Sequence, residues 1–146
     1  MKEWELKLHD QYPYQLKDKI LELRTKRRYE RYLRWKDTPQ RIINNGYCFI
    51  SASWMKEWEL FIEGRVTYPP TRTLDNDQWR LSDGSLQLSI HFNPFSSNSS
   101  DLMIISVQTW DYLIKNYKVK GNQITENDLK SHNMYKQLEY WKSRIK

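Results

Sequence analysis

The strongest hydrophobic pattern in the chain lies in residues 47–64, where an apolar run is followed by apolar positions at helical spacing. The first four residues of this stretch are apolar, as in a buried strand. Trp54 and Trp58 then stand one helical turn apart, with charged residues between them, and Ser51 or Ser53 can cap the helix. Because two indole rings need a deep core, we predict that the rest of the fold packs against this aromatic face.

Two further strands and a second helix are predicted downstream. Apolar and polar residues alternate through residues 86–92, the pattern of a half-buried strand. Residues 102–105 form a short, fully apolar run that is typical of another strand. Ser106 can cap the following helix, in which Trp110 and Tyr117 share a face. We expect these elements to complete the core.

Helices are also predicted at both ends of the chain. Residues 15–36 contain no glycine or proline and form one helix of about six turns. Residues 131–146 form a last helix, whose apolar stripe either packs on its own domain or docks in a partner's groove. The candidate partner-binding residues of this last helix are Met134, Leu138, Trp141 and Ile145.

The positive charge of the chain is concentrated in the first of these helices. The net charge is 24 − 18 = +6. Residues 17–36 hold nine basic and three acidic side chains, or 9 − 3 = +6, so the remainder is neutral. Such a helix is either a solvated surface or an arm that lies on an acidic partner, such as RNA or the acidic surface of tubulin. The candidate partner-binding residues of this basic arm are Arg24, Lys26, Arg27, Arg28, Arg31 and Arg34.

Composition limits the classes of function. A chain of 146 residues suits one domain with extensions. The single cysteine cannot form an internal disulfide, no apolar run is long enough to span a bilayer, and the N-terminus lacks the apolar region of a signal peptide. We therefore expect a soluble protein of the cytoplasm.

The sequence contains little of the chemistry that catalysis or cofactor binding requires. Cys48 lies within an apolar run, where burial disfavours the thiolate. His9, His91 and His132 lie in separate elements without metal-ligand spacing. Phosphate-binding glycine motifs are missing from the sequence. We expect no catalytic residue, no metal, no cofactor and no small-molecule substrate.

The order of these elements resembles that of the DUSP domain, a module found in many ubiquitin-specific proteases. The resemblance covers residues 38–126 and implies an α+β fold, a tripod of three helices packed on a small antiparallel three-stranded sheet. It also implies a protein-interaction module without catalytic activity of its own. The specific marks are the Trp54/Trp58 pair, Asp75-Asn76 after a proline-containing loop, and Trp110 followed by Tyr117.

The predicted organisation has three parts. Residues 1–37 form an N-terminal arm with the basic helix, residues 38–130 form the DUSP-like domain, and residues 131–146 form the C-terminal amphipathic helix. The predicted core residues are Tyr47, Ile50, Trp54, Trp58, Leu88, Ile104, Trp110 and Tyr117.

Our leading hypothesis is a non-catalytic structural subunit of a large assembly, in which the core is the rigid body and the two ends make contacts. The composition, with Ala52 as the only alanine, is typical of an AT-rich coding sequence. Together with a eukaryotic domain it points to a protist, so we favour a ciliary or other microtubule-associated assembly. The alternatives are an RNA-contacting subunit of an organellar ribosome or other ribonucleoprotein, and an adaptor for a deubiquitinase.

Overall fold

The computed structural model describes residues 15–88, 92–98, 101–130, 132 and 134–145. These residues form six α-helices, four short strands and one 3₁₀-helix, and the mixture confirms the α+β class. The helices are α1 (Gln15–Lys36), α2 (Pro39–Asn45), α3 (Ala52–Ile62), α4 (Val107–Asn116), α5 (Glu126–Leu129) and α6 (Met134–Arg144). The strands are β1 (Tyr47–Ser51), β2 (Leu74–Asp75), β3 (Leu102–Ser106) and β4 (Val119–Lys120), and the 3₁₀-helix is Asn76–Trp79.

Serine and threonine side chains explain where two of the helices begin. Thr38 caps α2, and Ser106 caps α4, each by accepting a hydrogen bond from the backbone N–H three residues on. The predicted side-chain cap of α3 is not formed. Ser51 occupies the cap position, but its hydroxyl lies 3.0 Å from the hydroxyl of Ser53 instead.

The strands pair differently from the expected sheet. β1 and β3 are antiparallel neighbours, whereas β2 and β4 form a parallel pair. The three-stranded antiparallel sheet is therefore not confirmed, because the described strands form two sheets of two strands each. The segment predicted as an alternating strand, residues 86–92, contributes one bridge between Leu86 and Arg80, and residues 89–91 lie outside the described part. Ile124 adds a single antiparallel bridge to Phe49.

The alternation of side chains along β1 and β3 divides the core into two hydrophobic clusters. Cys48 and Ile50 belong to the first cluster, together with the aromatic face of α3 and apolar residues of α4. Phe49 and its cross-strand neighbour Ile104 belong to the second cluster, together with apolar residues of α2, α5 and α6. The β1–β3 pair thus lies between two layers of helices.

α1 lies against α3, outside these two clusters. Its bounds coincide with those of the helix predicted from the sequence. Two of its own apolar side chains, Ile20 and Leu33, are buried. In the part of the chain that the structure describes, no helix combines the length and the apolarity that crossing a bilayer requires.

Candidate partner-binding surfaces

A buried carboxylate fastens α1 to the core. Glu30 is 0% exposed, and its carboxylate accepts a hydrogen bond from Trp58 Nε1 at 2.6 Å. The hydroxyl groups of Tyr112 and Tyr117 also donate to it, each at 2.6 Å. Lys26, one turn earlier on α1, places its Nζ 3.2 Å from the same carboxylate. A buried charge is tolerated when it is both paired and hydrogen-bonded, and both conditions are met here.

The same contacts perturb two tyrosines. Burial is the main cause that raises the pKa of Tyr112 and of Tyr117, and the hydrogen bond to Glu30 and its negative charge raise both further. Lys26 Nζ also lies 4.5 Å from the centre of the Tyr117 ring, a cation–π distance. Both phenols therefore remain protonated donors to Glu30 at neutral pH.

Three arginines of α1 bind the C-terminal end of α3. Arg27, which is only 8% exposed, donates from Nε to the Phe61 carbonyl at 2.8 Å. Arg31 donates from Nε to the next carbonyl along the chain, at 2.9 Å. Carbonyl oxygens in the last turn of a helix carry partial negative charge, so guanidinium groups are well placed there. Arg34 adds an ion pair with Glu59 at 3.2 Å.

These contacts show that the basic helix rests on the domain instead of extending away from it. Helical spacing showed which charges share a face, but this face turns inward because Glu30 and the end of α3 provide partners for its cations. Arg24 and Arg28 are at exposed positions. The predicted partner-binding residues that are engaged within the chain are Lys26, Arg27, Arg31 and Arg34.

The outer face of α1 carries rings and cations that we call the cation–aromatic patch: Tyr32, Trp35 and Lys36 of α1, with Arg41 of α2. Tyr32 and Trp35 are 52% and 65% exposed, and their rings stack with centroids 6.3 Å apart. Lys36 Nζ lies 5.4 Å from the centre of the Tyr32 ring, and Arg41 Cζ lies 5.3 Å from that of Trp35. The two aromatic residues are three positions apart in the sequence, a spacing that places them on one face of a helix.

The C-terminal helix packs on its own domain, which is one of the two alternatives that its apolar stripe left open. Met134 and Leu138 are 1% and 0% exposed and belong to the second hydrophobic cluster. Trp141 donates from Nε1 to the Phe92 carbonyl at 3.3 Å. Ile145, the last of the four predicted residues, is partly exposed just beyond the end of α6. The stripe is used internally because this side of the β1–β3 pair needs an apolar cover.

A polar cluster also holds α6 against α5 and β1. Lys142 Nζ lies 3.1 Å from Glu126 Oε1, and the Tyr47 hydroxyl donates to Glu126 Oε2 at 2.8 Å. Burial raises the pKa of Tyr47 to about 12, and the hydrogen bond to Glu126 contributes to this rise. Burial alone would raise the pKa of Glu126, but hydrogen bonds from Tyr47 and Lys142 outweigh it and hold this pKa below its usual value.

The predicted core residues are divided between the two clusters. Tyr117 packs against the first cluster while partly buried, and Tyr47 and Leu88 pack in the same way against the second. Ile104 is buried in the second cluster. Those buried in the first cluster are Ile50, Trp54, Trp58 and Trp110.

The Asp75-Asn76 pair has a structural role. Asp75 Oδ1 accepts a hydrogen bond from the Asp77 N–H at 2.9 Å and so caps the 3₁₀-helix. Asn76 is 0% exposed and donates from Nδ2 to the carbonyls of Asn122 and Phe49, at 3.3 and 3.5 Å. The pair therefore ties this loop to β1 and to the segment that precedes α5.

The cysteine and the histidines are the side chains that the sequence analysis considered for catalysis or metal binding. Cys48 is 0% exposed, and burial raises the pKa of its thiol to about 12. His132 Nδ1 accepts a hydrogen bond from the Met134 N–H at 3.1 Å, whereas His9 and His91 lie outside the described residues. Among the residues that the structure does describe, no three His, Cys, Asp or Glu side chains are grouped to hold a metal ion.

The fold and its surfaces first define a class: a small α+β module whose helices are fastened to a two-stranded core and whose exposed groups lie on its outer faces. The family model of the DUSP domain matches residues 44–130, more than half of the chain. The chain therefore belongs to the DUSP domain family, and the resemblance drawn from the sequence is confirmed. The domain indicates a protein-interaction or ubiquitin-protease-associated module. No solved structure significantly matches the chain.

Proposed function

We propose that this chain is a non-catalytic protein-interaction subunit of a multi-subunit assembly. The observation that carries the proposal is the Glu30 anchor, which makes α1 and the DUSP domain one body. A helix held in this way presents its outer face at a fixed position, so the helix itself needs no ordering when a partner binds. Pre-organisation of this kind lowers the entropic cost of association.

Burial of the thiol supports the non-catalytic part of the proposal. A cysteine nucleophile reacts as the thiolate and must reach its substrate. Cys48 meets neither requirement, because its side chain is 0% exposed and its pKa is raised to about 12. Purified protein should therefore hydrolyse a fluorogenic ubiquitin substrate at the background rate, and Cys48→Ala should leave this rate unchanged. Thiol-dependent hydrolysis that disappears in Cys48→Ala would contradict the proposal.

The structural role is tested by the size of the native complex. The full chain has a mass of 18.0 kDa. In extracts of its own cells, we expect the tagged chain to elute at a much larger mass and to give chemical cross-links to other proteins. Elution as a free monomer, with cross-links only within the chain, would overturn the proposal.

Within this class we favour a cytoplasmic setting in a cilium or another part of the cytoskeleton, because exposed cations on a rigid helix suit an acidic surface such as that of tubulin. Co-sedimentation of the pure chain with microtubules is the direct test. Binding that weakens as salt is raised is expected, since exposed charges are screened. A chain that stays in the supernatant at low salt would exclude the microtubule setting and leave other assemblies to be examined by the cross-links.

A second candidate is an adaptor for a deubiquitinase, which family membership alone favours. It predicts that a ubiquitin-specific protease is among the cross-linked proteins. The absence of any such protease from the purified native complex would count against it.

A further inference from the structure

The segment that carries the cation–aromatic patch exposes no carboxylate, because its acidic side chains are buried in the fold. Residues 28–41 contain two acidic side chains, and both are buried: Glu30 at 0% and Asp37 at 8% exposure. Glu30 is used as the anchor of α1, and Asp37 Oδ2 accepts a hydrogen bond from the Ser106 N–H at 3.1 Å. The five cations of this segment are Arg28, Arg31, Arg34, Lys36 and Arg41.

Few of these cations have anionic partners. Among the described residues, only Arg34 of the five forms an ion pair with a carboxylate, that of Glu59. The surface therefore has an excess of positive charge beside two exposed aromatic rings. Large exposed rings grouped in this way are uncommon on a surface without a partner.

The arrangement of the rings favours an acidic protein segment over a nucleic acid. Bases bind such surfaces by stacking on an open ring face. Tyr32 and Trp35 already stack on each other, with planes 23° apart, and each also has a cation within 5.4 Å of its centre. A base that stacked on a ring face covered by one of these neighbours would have to displace it. A guanidinium group over a ring instead keeps its N–H edge free for bidentate contact with a carboxylate.

We propose that the cation–aromatic patch, extended along α1 by Arg28, binds an acidic segment of a partner protein. Arg28 and Arg41 bind carboxylates of the segment, and an apolar side chain of the segment packs on the exposed indole of Trp35. This inference rests on the proposed function and names the chemistry of the partner. The patch lies outside the region matched by the DUSP family model, which begins at residue 44.

The test measures fluorescence anisotropy of the full-length protein with three labelled probes: a peptide of repeated Glu-Glu-Leu triplets, its Gln-Gln-Leu counterpart, and poly(U) of the same length. The test variants are Trp35→Ala and Arg41→Glu. The matched controls are Tyr140→Ala and Arg144→Glu, because these residues form another exposed ring–cation pair, 5.0 Å apart, on α6. Circular dichroism verifies that each variant is folded.

We expect the acidic peptide to bind, the glutamine peptide not to bind, and both test variants to weaken binding at least tenfold while the controls stay within twofold. Three results would overturn the inference: no binding of the acidic peptide, equal losses in test and control variants, or patch-dependent binding of poly(U) that is tighter than that of the peptide. The native complex distinguishes this failure from that of the proposed function. An intact large complex with no peptide binding refutes only the patch.

Discussion

The most informative perturbation is Glu30→Ala, because it removes the acceptor shared by three side chains. The Trp58 N–H, the Tyr112 hydroxyl and the Tyr117 hydroxyl all donate to this carboxylate. If the carboxylate anchors α1, its removal should destabilise the whole domain, although Glu30 lies outside the region matched by the family model.

The magnitude follows from the exposure of each partner. Trp58 is 0% exposed, so its N–H loses its acceptor without access to water, at a cost of about 1–3 kcal/mol. The tyrosines are only partly buried and their hydroxyls can turn to water, so each costs about 0.5 kcal/mol. Lys26, 25% exposed, also loses its partner. We expect a loss of about 3 kcal/mol or slightly more, the lower end of the roughly 3–5 kcal/mol for removing one partner of a buried ion pair.

The assay is urea unfolding, followed by circular dichroism and tryptophan fluorescence. A loss of about 3 kcal/mol should lower the urea midpoint by about 1.5 M when the slope is about 2 kcal/mol/M. Glu30→Gln, which keeps the shape and one acceptor oxygen, should lose about half as much. Glu22→Ala is the matched control, since Glu22 is an exposed glutamate of the same helix, and it should stay within about 0.5 kcal/mol of the parent.

The reasoning would be refuted if Glu30→Ala and Glu22→Ala had the same urea midpoint. A double-mutant cycle with Tyr112→Phe separates a specific hydrogen bond from general packing. Because the two groups are in direct contact, their effects should be non-additive by about 0.5 kcal/mol or more. Strict additivity would mean that the hydrogen bond between the Tyr112 hydroxyl and Glu30 contributes nothing to the free energy of unfolding.

Three further predictions concern pH, reactivity and backbone conformation. The pKa of Tyr117 is raised on folding, so the stability it contributes is complete below pH about 10 and is lost as pH rises above that value; Tyr117→Phe should flatten this alkaline decline in thermal melts, and an unchanged decline would argue against it. Cys48, with its pKa at about 12, should be alkylated by iodoacetamide at pH 8 roughly a thousandfold more slowly than in urea, and similar rates measured by mass spectrometry would show an accessible thiol. Gly121 has φ +91°, and an added Cβ would lie 2.5 Å from Asp77 Oδ1, so Gly121→Ala should cost about 2–4 kcal/mol in urea unfolding. Gly84→Ala shares the positive φ but meets no atom within 4 Å, and should cost about 1–2 kcal/mol; equal costs would mean that the close contact relaxes.

The periodicity of apolar residues predicted where the helices and strands lie in the sequence better than it predicted how they pack together. The bounds of α1 and the order of strand and helix around Trp54 and Trp58 follow from local spacing and capping, which depend on neighbouring residues only. Pairing of strands depends on contacts between distant segments. The parallel contact between β2 and β4, two strands of two residues each, therefore had no signal in the sequence.

The direction of the charged face of α1 could not be predicted from the sequence, and the reason is physical. Arg27 and Glu30 look like surface residues because an isolated buried charge is very costly. That cost is offset here by partners on α3, on α4 and at Tyr117 directly after α4, which are 28 to 87 residues away in the chain. A helical pattern cannot show such partners, so the sequence left open a solvated helix or an arm on an acidic partner, and neither alternative included a polar inner face.

The inward turn of Glu30 also changes how the positive charge of the chain should be understood. The count of nine basic and three acidic side chains in residues 17–36 treats every charge as available to a partner. Folding instead commits Arg27 and Lys26 to internal acceptors while it removes Glu30 from the surface. Fewer cations are therefore available to a partner, but they are better separated from carboxylates. They lie beside the exposed ring of Trp35. Specificity for an acidic segment would then arise from the position of a few rigidly held groups rather than from the net charge of the helix.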